Sequence, residues 1–326
     1  MWMVKPDMNL FPYFCKHNIA NAMFTRQNPT KFLIYILLAC APIRATAQQY
    51  VDILKVEHLE SIGQTFDTSN ARVPLNETTI DLTIPIRTAA LTQKGAVLLT
   101  GFTAEHNRVS LNPGAHPTTF YSLMGKIGLV KKHGAHWSGT YLLLPKLNSD
   151  FQSIGKNDFQ MGGLAILKNE KSPTLNYKFG LYANTDLFGL FVVPIFGFYL
   201  LKNKVEINAN LPLNLDINYQ LTRNVKAGVR YSGFNKSYHL HTEKPSYVEK
   251  ATNEGGAYMQ VKFGLAQLQL FAGSSFLRRF RTYSVGDKAT MAFPLYKIGN
   301  DRTQLNSDFG NGLILKTVLV VRIDTK

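Results

Sequence analysis

Alternating apolar and polar residues fill the stretch Val205-Glu206-Ile207-Asn208-Ala209-Asn210-Leu211-Pro212-Leu213-Asn214-Leu215-Asp216-Ile217-Asn218-Tyr219-Gln220-Leu221. Successive residues of a β-strand point to opposite sides, so the pattern predicts strands with one apolar and one polar face. At about 3.3 Å per residue the stretch would extend roughly 56 Å, which is too long for one bilayer crossing. Pro212 lies at its middle and cannot donate a ladder hydrogen bond. We therefore predict two strands joined by the loop 211–213, with Asn210 paired to Asn214.

The same alternation recurs along the chain after residue 48, in several runs of nine residues or more. Strands of soluble sandwiches have about 5–6 residues, whereas a membrane-spanning strand needs about 9–11. Short and long connections also alternate, as in bacterial outer-membrane barrels. We predict an all-β fold, a transmembrane antiparallel up-and-down β-barrel of 14 strands, with 12 as the alternative. The predicted strands are 50–60, 78–89, 95–106, 118–131, 135–145, 157–168, 174–185, 190–201, 205–210, 214–221, 225–238, 253–264, 267–280 and 310–323.

Composition narrows the class of protein further. Charged residues make up 17% of the chain, below the roughly 25% that is usual in soluble domains. Aromatic residues at 12% exclude a disordered chain. No stretch approaches the ~20 consecutive apolar residues of a membrane helix, which excludes a helical membrane protein.

The first 47 residues have the features of a targeting leader. Lys31 precedes a short apolar run, Phe32–Ala39, and Ala45-Thr46-Ala47 provides a small-residue cleavage site. We predict a secretory leader over residues 1–47 and an outer-membrane barrel over residues 48–326.

The leader has two further features. It is long for a secretory signal, so we expect synthesis to start at Met23. It also contains both cysteines, Cys15 and Cys40, so cleavage leaves a chain without cysteine. The alternative is a lipoprotein, because Leu37-Leu38-Ala39-Cys40 resembles a lipoprotein cleavage box.

The charge is basic and suggests the partners of the exported chain. The leader holds five of the 36 basic and one of the 21 acidic residues, which leaves 31 and 20. Anionic lipid headgroups, lipopolysaccharide among them, or an anion-preferring pore fit this excess better than nucleic acid, which an exported chain rarely meets. The polar faces of the predicted strands place five basic and three acidic residues in the lumen. These are Asp81, Arg87, Lys178, Glu206, Asp216, Lys226, Arg230 and Lys262.

Three segments resemble a family of outer-membrane β-barrel proteins of unknown function that is common in Bacteroidota. They are Asp52-Ile53-Leu54-Lys55-Val56-Glu57, Phe188-Gly189-Leu190-Phe191-Val192-Val193-Pro194-Ile195-Phe196-Gly197-Phe198-Tyr199 and Leu211-Pro212-Leu213. The resemblance covers nearly all of residues 48–326. It implies a barrel in the bacterial outer membrane and implies no activity.

Two histidine motifs are candidates for chemistry. His136 and Ser138 have the His-x-Ser spacing of outer-membrane phospholipases, in which Ser138 would be the nucleophile and His136 its base. Polar lumen residues near a periplasmic turn are the competing interpretation, and we favour it. His239 and His241 could share a metal ion with Glu243, but they fall in a predicted polar loop, 239–252, so we expect no metal site.

Two further segments bear on ligands. Arg278, Arg279 and Arg281 lead into the longest predicted loop, 281–307, and arginine forks suit the phosphates of lipopolysaccharide. A solvated, positively charged rim is the equal alternative. Residues 189–201 are apolar on both faces, which indicates a buried patch against a plug or inserted loop, or a hydrophobic passage.

We therefore expect a passive channel for small polar or anionic solutes, without a cofactor or enzymatic activity. The alternatives are a structural or adhesive surface barrel and a lipid hydrolase that uses His136 and Ser138. The sequence leaves the oligomeric state open.

Overall fold

The computed structural model describes residues 50–324 except 243, 277, 295 and 309. The predicted leader, residues 1–47, lies outside the described residues. Fourteen antiparallel strands of the described chain form one closed barrel. They are β1 (Tyr50–Ile62), β2 (Leu75–Ile86), β3 (Ala96–Val109), β4 (Thr118–Lys132), β5 (Trp137–Ser149), β6 (Phe159–Ser172), β7 (Leu175–Asp186), β8 (Gly189–Lys202), β9 (Val205–Leu211), β10 (Asn214–Gln220), β11 (Val225–Leu240), β12 (Ser246–Phe263), β13 (Ala266–Ser275) and β17 (Gly312–Asp324).

Each strand pairs with the next, and β17 pairs with both β13 and β1, which closes the barrel. Three shorter strands, β14 (Arg279–Ser284), β15 (Met291–Ala292) and β16 (Lys297–Ile298), lie in the connection between β13 and β17. One short helix, α1 (Ala89–Gln93), connects β2 to β3. No helix in the described part of the chain has the length and apolarity to span a membrane.

The predicted count of fourteen strands is confirmed. The split at Pro212 is confirmed too, because β9 and β10 form a hairpin in which Asn210 faces Asn214. The Asn210 amide donates to the Asn214 side-chain oxygen at 3.0 Å. Strand β1 is part of the closed wall, so the alternative of twelve strands is excluded.

The two ends of the barrel differ. At the end that carries Tyr50 and Asp324, hereafter the terminal end, the connections are short apart from the one with α1. At the opposite end, hereafter the loop end, they include the long segments 63–74, 110–117, 150–158 and 276–311.

Large apolar side chains on the outer faces are exposed, as expected for a barrel whose outside contacts lipid. Ile127, Leu143, Phe179, Phe196, Met259, Leu270 and Leu313 are examples.

The loop-end half of the β11–β12 hairpin lies inside the barrel. The backbone at His239 pairs with Ser149 of β5, which is not a neighbour of β11 in the wall. The Tyr238 hydroxyl reaches Glu105 of β3 at 2.6 Å, and the Ser237 hydroxyl reaches Asp186 of β7 at 2.9 Å. Since opposite faces of the hairpin contact opposite walls, the described residues of 234–252, hereafter the inserted hairpin, cross the lumen in its loop-end half.

The prediction of a polar loop over 239–252 is therefore wrong, since β11 continues to Leu240 and β12 begins at Ser246. Four apolar side chains of the inserted hairpin, those of Tyr238, Leu240, Tyr247 and Val248, are buried. Tyr238 packs on Phe120 with ring centroids 4.7 Å apart, and Tyr247 belongs to the cluster that buries Phe191. Burying each such side chain stabilises the fold by about 1.5–3 kcal/mol, which favours strand over a solvated loop.

The apolar segment 189–201 contacts the same insertion. Phe191, Val193 and Ile195 point inward and are buried with Tyr247 of the inserted hairpin and Tyr283 of β14. Of the two interpretations of this segment, the structure therefore shows the one with an inserted element on its lumen side.

The prediction of a strand over 267–280 is also wrong, because β13 ends at Ser275. Beyond that point β14 replaces β13 as the partner of β12. The exchange lies next to a close approach of two strands, where a methyl group on Gly256 would lie 2.5 Å from the Gly273 Cα. Only glycine avoids this clash, so the pair permits tight backbone packing where the hairpin leaves the wall.

Candidate functional site

A polar cavity of about 430 Å³, hereafter the chamber, lies between the inserted hairpin and the terminal end. Its wall comes from β1, β9 to β13 and β17. Five of the ionisable lining groups are basic and five are carboxylates. They are Lys55, Lys226, Arg230, Lys316 and Arg322, and Asp52, Glu57, Glu206, Asp216 and Glu254.

These opposite charges form ion pairs across neighbouring strands. Arg230 Nε lies 2.6 Å from Asp216 Oδ2, and Lys226 Nζ lies 2.8 Å from Glu206 Oε2. Tyr258 donates to the other Asp216 oxygen at 2.8 Å, and the Arg230 guanidinium lies over the Tyr258 ring. The chamber is therefore polar but balanced in charge.

A second cavity of about 240 Å³, hereafter the mouth, adjoins the chamber at the terminal end. Tyr50, Glu206, Lys226, Gln260 and Arg322 line both cavities, so the two spaces adjoin. The mouth adds Arg223 and Lys262, which gives it four basic side chains against one carboxylate. Its charge is thus clearly positive, unlike that of the chamber.

The predicted lumen residues fall into three groups. Glu206, Asp216, Lys226 and Arg230 line the chamber, and Lys262 lines the mouth. Two others hold strands together inside the barrel. Lys126 donates to Asp81 at 2.6 Å, and the buried Lys178 donates to Asn208 at 2.8 Å.

Arg87 lies elsewhere, because it follows the last residue of β2 and is exposed at the terminal end.

The sequence prediction also missed the charged chamber residues of β1. The register of β1 shifts between Asp52 and Leu54, so the charged positions change phase along the strand. Strict alternation assigns the wrong face to residues beyond such a bulge. The charged side chains Asp52, Lys55 and Glu57 were the remaining sign that this strand has residues facing the lumen.

A layer of buried ion pairs separates the chamber from the loop end. Arg278 is fully buried and donates to Glu77 at 2.9 Å and to Glu254 at 2.7 Å. Lys250 donates to the second Glu77 oxygen at 2.8 Å, and Lys316 bonds both Glu57 and Glu254. Both interpretations of Arg278, contact with lipopolysaccharide phosphates and a solvated rim, are therefore wrong, because two carboxylates bind it within the barrel.

The other two arginines of the motif line a cavity of about 500 Å³ at the loop end. Arg281 donates twice to Asp308, at 2.9 and 2.6 Å, and these hydrogen bonds hold the pKa of Asp308 below its usual value. Arg279 forms no ion pair within the described residues. Arg302 lies in the same cavity and donates to Glu249 at 2.9 Å. This cavity shares no lining residue with the chamber.

The His-x-Ser motif lies at the terminal end. His136 precedes β5, and Ser138 pairs in the sheet with Lys132 and Lys168. No hydrogen bond joins His136 to Ser138 in the described structure.

The other histidine motif is placed differently from the expectation: Asp158, His239 and His241 meet at the loop end in an arrangement that could hold a metal ion. Glu243, which the sequence analysis considered as a third ligand, lies outside the described residues, and the expectation of a polar loop without a metal site did not foresee this cluster.

Comparison with solved structures gives several matches of low sequence identity and low TM-score. The NanC porin is 9% identical, with a TM-score of 0.34, over 83% of this chain and 100% of that chain. A mutant of the TodX monoaromatic hydrocarbon channel is 10% identical, with a TM-score of 0.35, over 88% and 92%. The Pseudomonas putida toluene transporter TodX is 9% identical, with a TM-score of 0.31, over 89% and 91%.

Comparison with curated protein sequences gives no match. Comparison with family models gives one that covers most of the barrel, from β3 to β15. The matched residues are 96–293, and the chain belongs to the family described as Domain of unknown function (DUF6268).

Proposed function

We propose that the protein is a bacterial outer-membrane channel for small polar solutes, with a weak preference for anions. The observation that carries the proposal is the chamber, a polar space inside a closed barrel whose outer face is apolar. A barrel of this strand number has an interior wide enough to hold water unless side chains or inserted elements fill it. The described residues of this chain leave a cavity in the terminal half.

The orientation follows from the connections. Outer-membrane barrels place short turns on the periplasmic side and longer loops outside. The terminal end then faces the periplasm, and the inserted hairpin narrows the barrel on the external side.

Size and charge define the class of solute. A volume of about 430 Å³ lies in the range of roughly 300–1,000 Å³ typical of small-molecule sites. The chamber is balanced in charge, so the preference for anions comes from Arg223, Lys226, Lys262 and Arg322 at the mouth.

Single-channel recording of refolded residues 48–326 in planar bilayers tests the proposal. We expect small, brief conductance steps, because the inserted hairpin and the ion-pair layer fill the external half. Complete absence of conductance, with the barrel shown to be folded, contradicts transport.

The second candidate is a structural or adhesive surface barrel. The observation that favours it is the inserted hairpin with its ion-pair layer across the lumen, because a non-conducting barrel needs such an obstruction. Arg279 and Arg281 line the loop-end cavity, and contact with lipopolysaccharide phosphates belongs to this candidate. Loss of binding to lipopolysaccharide on deletion of residues 285–302, with conductance absent before and after, would favour it. Neither candidate assigns catalysis to His136 and Ser138.

A further inference from the structure

Four side chains meet between the inserted hairpin and the connection 150–158. His239 and His241, two residues apart at the end of β11, face Asp158 and Asp150 of that connection. The backbone fixes them in place: Asp150 N–H donates to the His239 carbonyl at 3.1 Å, and His241 N–H donates to the Asp150 carboxylate at 2.9 Å. The cluster therefore joins the inserted hairpin to the barrel wall.

The distances within the cluster suit a small cation. His239 Nδ1 lies 2.7 Å from Asp158 Oδ1, and His241 Nε2 lies 3.5 Å from Asp158 Oδ2. One ligand atom from each of these three residues lies within 4.8 Å of the others. Bonds of about 2.0–2.2 Å to a tetrahedral Zn²⁺ place ligand atoms roughly 3.4 Å apart, so a small widening admits the ion.

Burial makes the charges of the cluster costly without such an ion. Asp158 is fully buried, and the Asp150 side chain is 5% exposed. Two protonated imidazoles could neutralise both carboxylates, but the rings of His239 and His241 lie only 4.4 Å apart between centroids. One divalent ion balances both carboxylates while both rings stay neutral, which avoids the repulsion of two buried cations.

His239 provides an independent observation. Its side chain is more than nine-tenths buried, and Nε2 has no hydrogen-bond partner among the described residues. The only hydrogen bond of this ring within the described structure is the one to Asp158. The polar contact of this buried ring is therefore with a carboxylate of the cluster, as expected of a histidine whose Nδ1 can bind a metal ion together with Asp158.

We propose that Asp158, His239 and His241 bind one Zn²⁺ ion and that Asp150 positions His241 through Nδ1. Three nitrogen and oxygen donors from side chains are typical of zinc sites with an open position. In many such sites a carboxylate accepts a hydrogen bond from the second ring nitrogen of a histidine ligand and so fixes its orientation. The bound ion ties the inserted hairpin to the connection 150–158.

The site is open to solvent at one side. The His241 side chain is 17% exposed, so an ion can enter from the loop end and keep one coordination position for water. The proposal does not rest on transport: it concerns binding of the metal, and it holds for a conducting or a closed barrel.

The test uses the refolded, chelator-treated chain in detergent and zinc alone as the probe. Calorimetric titration gives stoichiometry and affinity, and absorption of the Co²⁺-loaded protein gives the coordination geometry. We expect one Zn²⁺ per chain and visible bands of tetrahedral Co²⁺. Asp158→Asn and His241→Gln should each lower the affinity at least about 100-fold, and Asp150→Asn should lower it about 10–100-fold.

The matched control is His116→Gln, because His116 is an exposed histidine in another loop-end connection. It should leave affinity and stoichiometry unchanged. A changed migration of the barrel on heating in detergent gels shows that each variant is folded. The proposal is overturned if the folded wild-type chain binds no stoichiometric zinc. It is also overturned if Asp158→Asn and His241→Gln bind as tightly as the wild type, or if His116→Gln weakens binding as much as they do.

Discussion

Arg278 Nη2 donates to Glu254 at 2.7 Å although both side chains are buried inside the barrel. The same guanidinium binds Glu77 of β2, so one side chain links β2 to β12 across the inside of the barrel. Each carboxylate also binds a lysine, Lys250 or Lys316. The resulting network is the boundary between the chamber and the external half.

Replacing Arg278 with methionine should destabilise the barrel strongly. The change leaves Glu77 and Glu254 with one cation each, and removing one partner of a buried ionic network costs about 3–5 kcal/mol. Urea unfolding in detergent, followed by the gel shift of the folded barrel, measures the loss. Arg279→Met is the control, since Arg279 forms no ion pair within the described residues; it should change stability by less than about 0.5 kcal/mol. Equal effects of the two variants would contradict the assignment.

Shortening the inserted hairpin should raise conductance. Ser237 and Glu249 face each other across β11 and β12, so Asn-Gly in place of residues 238–248 gives a two-residue hairpin loop. The change removes Tyr238 and Tyr247 from the lumen, and we expect single-channel conductance to increase several-fold. A control with residues 68–70 of the β1–β2 connection shortened to one glycine should conduct like the wild type. An unchanged conductance in the hairpin variant would mean that the path does not run past the hairpin.

The sequence predicted the wall of the barrel better than its contents. Alternation depends only on neighbours in the chain, so it located the strands and the hairpin at Pro212, and it placed Glu206 and Arg230 inside. Burial of both hairpin faces could not be predicted in this way, because a strand inside a lumen and a mixed polar loop have similar sequences. The ion pairs could not be predicted either, because their partners are far apart in the sequence. Lys236 and Glu105, for example, are separated by 131 residues.

Acid should release the loop-end connection 276–311. Hydrogen bonds from Arg281 lower the pKa of Asp308 in the folded chain. A lowered pKa contributes stability that is present above the unfolded value of about 3.9 and is lost as the pH falls through the folded value. Pepsin cleavage of 276–311 should therefore rise only below about pH 4. At neutral pH a second protease replaces pepsin. There Asp308→Asn should be cleaved faster than the wild type, whereas the control Asp301→Asn should be cleaved at the wild-type rate. Cleavage of the wild type that is independent of pH would exclude this anchor.

Ion selectivity should respond to the paired charges of the chamber. Lys226→Gln with Arg230→Gln leaves Glu206 and Asp216 without these partners and makes the chamber more negative by two charges. The reversal potential in a salt gradient should then shift toward cations, whereas Glu206→Gln with Asp216→Asn should shift it toward anions. Combining all four changes restores the balance, so the weak anion preference of the wild type should return. The shifts should shrink with salt, because screening acts over about 10 Å at 0.1 M. If the wild type conducts but prefers cations, the positive mouth does not control entry. If the two double variants shift in the same direction, these residues do not line the conducting path.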